Sequence, residues 1–256
     1  MKIKLSIFLA ISLCALTLTS CGELGSMPTV STSVEDETRV SVVLEESADM
    51  GEDYIDGFIF FGESTTYHLK SRGVLPGGRS TAQVLGNESG TAILDPDTAS
   101  TSVIYPETGE TVTFREAIER KKPKYLFMSF GLNGAAYKLR RGKDYFKDCY
   151  RELVGAVRSA SPETKIILGS CYPVAENMDM SRYSLTLDEL NSAIRTLNEW
   201  TLELCYEEGL RYLNVNEVLT DGDGRLRLEY QVGDGHHLTA AAYVKILEYI
   251  RTHGYK

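Results

Sequence analysis

Short apolar runs alternate with longer amphipathic segments from residue 57 to the end of the chain. Four runs are typical of strands buried on both faces; they cover Phe58–Phe61, Tyr125–Phe130, Lys165–Ser170 and Tyr212–Val215. Four segments have helical patterns; they cover Phe114–Lys121, Asp144–Ala160, Leu187–Glu208 and Thr239–Thr252. Strands that alternate with helices favour βαβ units and a parallel sheet covered on both sides. The pattern predicts an α/β fold, a single-domain three-layer α/β/α sandwich with a flavodoxin-like parallel sheet.

Residues 73–111 interrupt this alternation. They are rich in Gly, Ser, Thr and turn pairs, with only short β-like pieces. Such a composition is typical of turns and hairpins. We interpret residues 73–111 as an insertion-like segment that forms a small hairpin beside the site, and not as a second domain.

The chain begins with a segment typical of an export signal. Residues 1–20 hold two lysines and an apolar stretch that is shorter than the roughly 20 residues of a membrane-spanning helix. The sequence Leu18-Thr19-Ser20-Cys21-Gly22 resembles the lipobox of bacterial lipoproteins. The resemblance implies that Cys21 becomes the first residue of the mature chain and carries a lipid. The protein would then be exported and anchored at the outer face of the cell membrane. An ordinary signal peptide with an incidental cysteine is the alternative.

Acidic residues dominate the segment that follows. Residues 23–56 hold ten acids and one base among many Ser and Thr, a composition that favours an extended, solvated spacer. We predict a tether over residues 21–52 and the folded domain over residues 53–256, with Val40–Leu44 able to pack as an edge strand. The whole chain has 27 basic and 36 acidic residues, a net charge of −9, which argues against a nucleic-acid partner.

The cysteines give no disulfide framework. Cys14 belongs to the export signal and Cys21 to the lipobox-like motif, which leaves Cys149, Cys171 and Cys205. Three is an odd number, and the spacing does not match a zinc site. These residues are interpreted as buried free thiols, or as one disulfide and one free thiol, and no metal is expected.

Residues suited to nucleophilic catalysis stand where the predicted strands end. Ser64 follows the first strand, Asn133 follows the second, and Asp234 and His237 precede the last helix. A parallel sheet binds its ligand at the carboxyl ends of its strands, so these side chains are expected to meet there. A serine hydroxyl needs a neighbouring base, histidine is suited to that task, and an aspartate can fix its tautomer. Taken singly, each motif is also typical of a turn or a helix cap.

Together these motifs resemble those of the SGNH hydrolases, also called GDSL esterases. Gly62-Glu63-Ser64 is similar to that family's Gly-Asp-Ser, Gly131-Leu132-Asn133-Gly134 to its Gly-x-Asn-Asp, and Asp234-Gly235-His236-His237 to its Asp-x-x-His. The resemblance covers residues 57–252. It implies the SGNH hydrolase fold and ester cleavage through an acyl-enzyme, without a metal or an organic cofactor.

The resemblance also implies roles for single residues. Ser64 would be the nucleophile, His237 the base and Asp234 the residue that orients it. The Ser64 N–H and the Asn133 side chain would bind the oxyanion. The family uses a glycine as a third donor; Gly109 and Gly90 are rival candidates. Because this fold hosts many esters, the motif does not specify the substrate. A small-molecule or glycan ester is expected, with O-acyl groups on extracellular glycans favoured by the exported location.

Three departures from the family pattern bear on function. Glu63 replaces an aspartate, and Gly134 stands where an aspartate usually helps to order the loop behind Asn133. His236 and His237 are adjacent, and the spacing of three from Asp234 selects His237, which leaves His236 as a neighbour. These departures motivate the alternative of a catalytically weak lipoprotein that binds carbohydrate or the cell surface on the same scaffold. An α/β-hydrolase is disfavoured because no Gly-x-Ser-x-Gly surrounds the serine.

Other charged and aromatic residues near these motifs are assigned no role. His68 and His253 are expected at the surface, with Tyr67 and His68 lining the cleft beside Ser64 as the alternative, and Arg72 is expected to be a solvated charge.

Overall fold

A four-stranded parallel sheet forms the centre of the protein. The computed structural model describes residues 41–75, 82–87, 89–90 and 92–256. The predicted export signal, Cys21 and the first part of the predicted tether lie outside the described residues. In chain order, the strands of the central sheet are β1 (Phe58–Gly62), β4 (Tyr125–Ser129), β5 (Lys165–Gly169) and β6 (Arg211–Leu213), and they lie side by side in that same order. All three pairings are parallel, as predicted.

Alternate residues of each strand face opposite sides of the sheet and build two separate cores. Ile59, Phe61, Leu126 and Met128 belong to one apolar cluster. Their neighbours in the strands belong to the other; these include Phe58, Phe60, Tyr125 and Phe127. This is the period-2 alternation of a strand, and here both faces are apolar because helices cover both. The three-layer α/β/α architecture is therefore confirmed.

Two sets of helices form the outer layers. The first set packs on the cluster that contains Phe61; it comprises α3 (Phe114–Lys121), α4 (Ala135–Arg141), α5 (Lys143–Ala160) and α6 (Leu187–Glu208). The second set packs on the cluster that contains Phe60; it comprises α1 (Glu52–Asp56), α7 (Asn216–Leu219) and α8 (Ala240–Thr252). The one-turn helix α2 (Ser64–Tyr67) follows β1 directly. In the described part of the chain, 3₁₀ turns cover His68–Ser71, Thr98–Ser100 and Leu228–Tyr230.

The predicted helix limits agree with the observed ones to within one residue because capping signals mark them. Thr113 and Thr186 each accept a hydrogen bond from the N–H three residues on. The carboxylates of Glu116 and Glu189 in turn accept from the backbone N–H of the cap residue. These are capping boxes. Thr239, predicted as the first residue of the last helix, is instead its N-cap and accepts from Ala242 N–H.

Single bridges extend both edges of the sheet, and the bridge at Val43 is an edge pairing of the kind predicted for Val40–Leu44. Val84 pairs with Phe60 beside β1, so part of the insertion-like segment belongs to the sheet layer. The predicted hairpin is present farther along, as β2 (Ser102–Ile104) paired antiparallel with β3 (Thr111–Thr113). At the opposite edge Val43 pairs with Tyr212.

The described end of the predicted tether is packed against the domain. Val42 and Leu44 are each only 6% exposed, and the N–H groups of Ser47 and Met50 donate to carbonyls at the end of α8. The folded part of the chain therefore starts before residue 53. The apolar residues at alternating positions determine this packing, although acids surround them.

The three cysteines of the domain are free and buried. Cys149, Cys171 and Cys205 form no disulfide, as the first of the two interpretations predicts. Burial raises the pKa of each thiol. Along the described chain, no helix has both the length and the apolarity that a membrane span requires.

Candidate active site

Ser64 is the first residue of α2, directly after β1. The chain turns sharply there, and Gly62 makes the turn possible: a Cβ at this position would stand 2.4 Å from the Ser129 carbonyl oxygen and 2.6 Å from Thr66 Oγ1. The N–H groups of Thr66 and Tyr67 bond back to the Glu63 carbonyl and start the helix. The serine hydroxyl is thus presented at the carboxyl end of the strand, where the sheet topology predicts a ligand site.

Asp234 and His237 lie on the loop that leads into α8. Gly235 has a φ of +83°, and a Cβ there would approach the Met178 backbone to 2.5 Å, so only glycine fits. The Gly235 carbonyl accepts from Ala175 N–H at 2.7 Å, which holds the loop against the segment after β5.

The two elements bring Ser64, His237 and Asp234 into one hydrogen-bonded chain. His237 Nε2 lies 3.0 Å from Ser64 Oγ, and His237 Nδ1 lies 2.7 Å from Asp234 Oδ2. Asp234 Oδ1 accepts the backbone N–H groups of His236 at 3.1 Å and His237 at 2.9 Å. Each side chain is therefore oriented by the next, from the carboxylate to the hydroxyl. Of the two adjacent histidines, the structure brings His237 to the serine, as the spacing from Asp234 predicts.

Hydrogen bonding keeps Asp234 ionised. Partial burial opposes its charge, but the backbone N–H of His237, its imidazole and the His236 N–H outweigh burial and lower the pKa of the Asp234 carboxyl to about 2. When a histidine gains a proton on one ring nitrogen, a negatively charged acceptor at the other nitrogen stabilises the imidazolium.

Two further bonds connect the segment after Ser64 to the segment after His237. Arg72 Nε donates to the Leu238 carbonyl at 3.1 Å, and the Tyr243 hydroxyl on α8 donates to the Thr65 carbonyl at 2.5 Å. Arg72 is half-buried in this contact, so the prediction that it is a solvated charge is wrong. These bonds hold the serine and the histidine at a fixed separation although the two residues are 173 positions apart in the sequence.

Asn133 lies on the loop between β4 and α4, held there by Glu63. The Glu63 side chain is 1% exposed. Its Oε1 accepts from the N–H groups of Gly131 and Asn133, and its Oε2 from those of Leu132 and Asn133, all at 3.0–3.1 Å. The glutamate, one methylene longer than the family's aspartate, thus orders the loop through its backbone N–H groups. Asn133 Nδ2 is buried and has no hydrogen-bond partner among the described residues, so it is free to donate to a ligand.

Comparison with known proteins agrees with this geometry. Residues 60–245 match the model of the GDSL-like lipase/acylhydrolase family, which is more than half of the chain. The chain belongs to this family. It is accordingly a carboxylic ester hydrolase of the GDSL type.

Solved structures of GDSL-type esterases align with most of the chain at low identity. A catalytic mutant of an acetylxylan esterase from Geobacillus stearothermophilus is 17% identical, with 78% of this chain and 94% of that one covered and a TM-score of 0.42. The M. smegmatis aryl esterase is 16% identical, with 77% and 99% covered and a TM-score of 0.44. None of the curated protein sequences matches the chain significantly.

Two additional histidines flank His237 in this GDSL hydrolase. The ring centroid of His236 lies 3.9 Å, and that of His68 4.5 Å, from the ring centroid of His237. Burial, with the charge of His237, lowers the pKa of both flanking imidazoles. His68 is half-buried on the turn after α2, so the expectation that it lies at the surface is wrong. Its position four residues after Ser64 was the available signal. His253, half-buried and stacked on Tyr249 at 3.7 Å, is also not a simple surface residue.

Neither glycine proposed as a third oxyanion donor has a free N–H. Gly109 N–H donates to the Tyr105 carbonyl at 2.8 Å and closes the β2–β3 hairpin, and Gly90 N–H donates to the Asn87 carbonyl at 3.1 Å. Gly90 is nonetheless close to the nucleophile's helix: a Cβ at Gly90 or Gly86 would stand 2.3 Å from the Tyr67 ring. Both expectations are therefore corrected, because each N–H is already bonded within a turn.

Three residues of the loop before α8, Asp234, His236 and His237, are also of the types that bind metal ions. One ligand atom from each of Asp234, His236 and His237 lies within 4.8 Å of the others. Both ring nitrogens of His237 are already directed at Asp234 and Ser64. The geometry thus serves proton transfer between these groups.

Proposed function

We propose that this GDSL hydrolase is a serine esterase in which Ser64, His237 and Asp234 form the catalytic triad. One observation carries the proposal: the unbroken chain of hydrogen bonds from Asp234 Oδ2 through His237 to Ser64 Oγ, at 2.7 and 3.0 Å. A serine hydroxyl is a weak nucleophile unless such a base accepts its proton.

The reaction follows from these contacts. Ser64 Oγ attacks the acyl carbon while His237 Nε2 takes the hydroxyl proton, and Asp234 stabilises the imidazolium that forms. The tetrahedral intermediate collapses as His237 gives that proton to the departing alkoxide, which leaves as the alcohol. Water, deprotonated by His237, then attacks the acyl-Ser64 ester. The second collapse releases the acid and restores the serine.

The oxyanion of each intermediate is bound at the same edge of the sheet. The proposed donors are the Ser64 N–H, at the N-terminus of α2, and Asn133 Nδ2, which is buried without a partner among the residues described. Donors that are already in place cost no reorganisation when the charge develops, and one of them typically contributes about 10²–10³ in kcat.

The proposed substrate is an O-acyl ester of a small molecule or an extracellular glycan, and the proposed location is the outer face of the cell membrane. The lipobox-like sequence before Cys21 supports the location, and the exported location favours glycans. Growth of the producing bacteria with labelled fatty acid tests the anchor. We expect the wild-type protein to be labelled and Cys21→Ala to remain unlabelled. Label in Cys21→Ala would contradict it.

The alternative of a catalytically weak binding protein rested on Glu63 and Gly134. Glu63 holds the Asn133 loop through three N–H groups, which supports an active site and not its loss. Hydrolysis of p-nitrophenyl acetate tests the choice. We expect turnover that Ser64→Ala and His237→Ala abolish, while His236→Ala retains most of it. Binding of glycans without Ser64-dependent turnover would favour the alternative.

A further inference from the structure

Two lysines are buried among the described residues, Lys138 and Lys147, and their partners differ. Lys147, 4% exposed, donates to Glu203 at 2.9 Å and to Glu207 at 2.7 Å, so it is neutralised by carboxylates from α6. Lys138 on α4 is 2% exposed. Its Nζ donates to the backbone carbonyl of Asn133. A buried charge needs a hydrogen-bonded partner. The partner of Lys138 is the backbone carbonyl of Asn133, the residue whose side chain is a proposed oxyanion donor.

The backbone of Asn133 is therefore held at both ends. Its N–H donates to the Glu63 carboxylate at 3.1 Å, and its carbonyl accepts from Lys138. Two adjoining peptide groups are fixed in this way, one on each side of the Asn133 Cα. The side chain starts from that Cα, and its Nδ2 has no partner of its own in the described chain. The backbone contacts thus fix the direction in which the Asn133 side chain leaves the loop.

The missing aspartate at position 134 fits the same arrangement. Gly134 has a φ of +76°, and a Cβ there would stand 3.5 Å from Lys138 Nζ. In the family pattern an aspartate side chain would begin at this position, next to the Lys138 ammonium group. Both departures from the family pattern thus involve the same cation: Lys138 Nζ lies near position 134, and its charge acts on the Glu63 carboxyl group.

We propose that Lys138 is a positioning residue for ester hydrolysis: by holding the Asn133 carbonyl beside Glu63, it orients the Asn133 amide toward the oxyanion. The proposal rests on the esterase function proposed above, with Asn133 as an oxyanion donor. Lys138 itself does not touch the substrate. Its effect must therefore pass through Asn133 and vanish when the Asn133 side chain is removed.

The test is a double-mutant cycle on the full chain with p-nitrophenyl acetate. We expect Lys138→Met to lower kcat about 10–100-fold, within the about 10²–10³ that one oxyanion donor supplies, with KM changed less than about twofold. We expect Asn133→Ala to lower kcat at least as much. Lys138→Met introduced into Asn133→Ala should cost less than about a further twofold, because residues that act as one unit are not additive.

Lys147→Met is the matched control, since it removes a similarly buried lysine whose Nζ donates to carboxylates of α6. It should leave kcat within about twofold of the wild type, and thermal unfolding should show that each variant is folded at the assay temperature. Lys138→Gln, which keeps a neutral donor, should fall between wild type and Lys138→Met. It replaces the latter in the cycle if the methionine variant does not fold.

Two results would overturn the proposal. One is a wild-type kcat in folded Lys138→Met; the other is an equal loss whether or not Asn133 is present. If Ser64→Ala retains turnover, the esterase mechanism itself fails, which is a distinct outcome.

Discussion

Two loops at the carboxyl end of the sheet are organised by the same device and differ in what surrounds it. Glu63 accepts the backbone N–H groups of residues 131–133, and Asp234 accepts those of His236 and His237. Glu63 is 1% exposed, whereas the Asp234 side chain is 40% exposed. Burial raises the pKa of Glu63 in spite of Lys138 and the N–H groups, while the pKa of Asp234 is lowered to about 2.

Similar hydrogen bonds to backbone N–H groups thus have different roles in the two loops, because one carboxyl group is buried and the other is partly exposed to solvent. The 131–134 loop is fixed by a carboxylate and an ammonium that are both buried, which suits a donor that must not move. The 233–238 loop is fixed by a partly solvated carboxylate that also faces an imidazole. That carboxylate can meet the change in charge of His237 during turnover. We therefore expect Asp234 variants to affect mainly catalysis and Glu63 variants to affect mainly stability.

The largest expected effect is on catalysis at Asp234. Asp234→Asn removes the charge that orients His237 and stabilises its protonated form, so kcat should fall about 10³–10⁴-fold. The thermal midpoint should change little, because the side chain is partly solvated. Steady-state kinetics with a melting curve measure both. A folded Asp234→Asn with more than a tenth of wild-type kcat would break the comparison.

Glu63→Ala should have the largest effect on stability. It leaves the buried N–H groups of residues 131–133 without their acceptor, and it removes the carboxyl group on which the Lys138 charge acts. Breaking a buried charged contact of this kind costs about 3–5 kcal/mol of the free energy of unfolding. Urea unfolding measures it, with Asp234→Ala as the matched variant, for which a loss below about 1 kcal/mol is expected. Equal losses in the two variants would remove the distinction between the loops.

The glycines of the two loops sharpen the comparison further. Gly235→Ala places a Cβ 2.5 Å from the Met178 backbone at a φ of +83°, whereas Gly134→Ala meets only Lys138 Nζ, at 3.5 Å. Both pay for the left-handed backbone, about 1–2 kcal/mol, and only Gly235→Ala adds a clash with backbone. We expect Gly235→Ala to be the more destabilising by at least about 1 kcal/mol in urea unfolding. The reverse order would contradict the described packing.

The smallest expected effect is on the pH dependence of stability. Asp234 has a pKa of about 2 against an ordinary 3.8, so its contribution is present above pH 3.8 and is lost as the pH falls toward 2. Glu63 has a raised pKa, so its contribution is present below its ordinary 4.5 and declines as the pH rises through the raised value.

Unfolding free energies between pH 2 and pH 8 check these opposite signs. Asp234→Asn should flatten the slope at the acid end, and Glu63→Gln should flatten the slope above pH 4.5. If both substitutions change the curve in the same window, the assigned directions are wrong.

Much of the fold and of the triad can be predicted from the sequence because local signals specify both. Apolar runs, capping boxes and the spacing of three between Asp234 and His237 are short-range features. The sheet then brings strand ends together whatever the separation along the chain. The bridge at Val43 lies within the edge strand predicted from the apolar residues of Val40–Leu44. Val84 at the other edge was harder to assign, because a single bridge within a Gly-rich segment has no periodicity.

The surroundings of the site could not be predicted in the same way. Lys138 is one of several basic residues on α4, and no pattern in the sequence indicates that it is buried. His68 belongs to no motif. The reach of Glu63 across to residues 131–133 depends on the distance between β1 and β4, which is a property of the packed sheet. Contacts of this kind are decided by tertiary packing and not by local pattern.

The most direct test of the account is the identity of the acylated residue. Purified protein is mixed with p-nitrophenyl acetate, quenched in acid during the first turnovers, digested and analysed by mass spectrometry. The account predicts an added acetyl group on Ser64, absent in Ser64→Ala, together with an initial burst of p-nitrophenol no larger than one per active site. Turnover without acetylated Ser64, or an acetyl group on another residue that persists in Ser64→Ala, would contradict it.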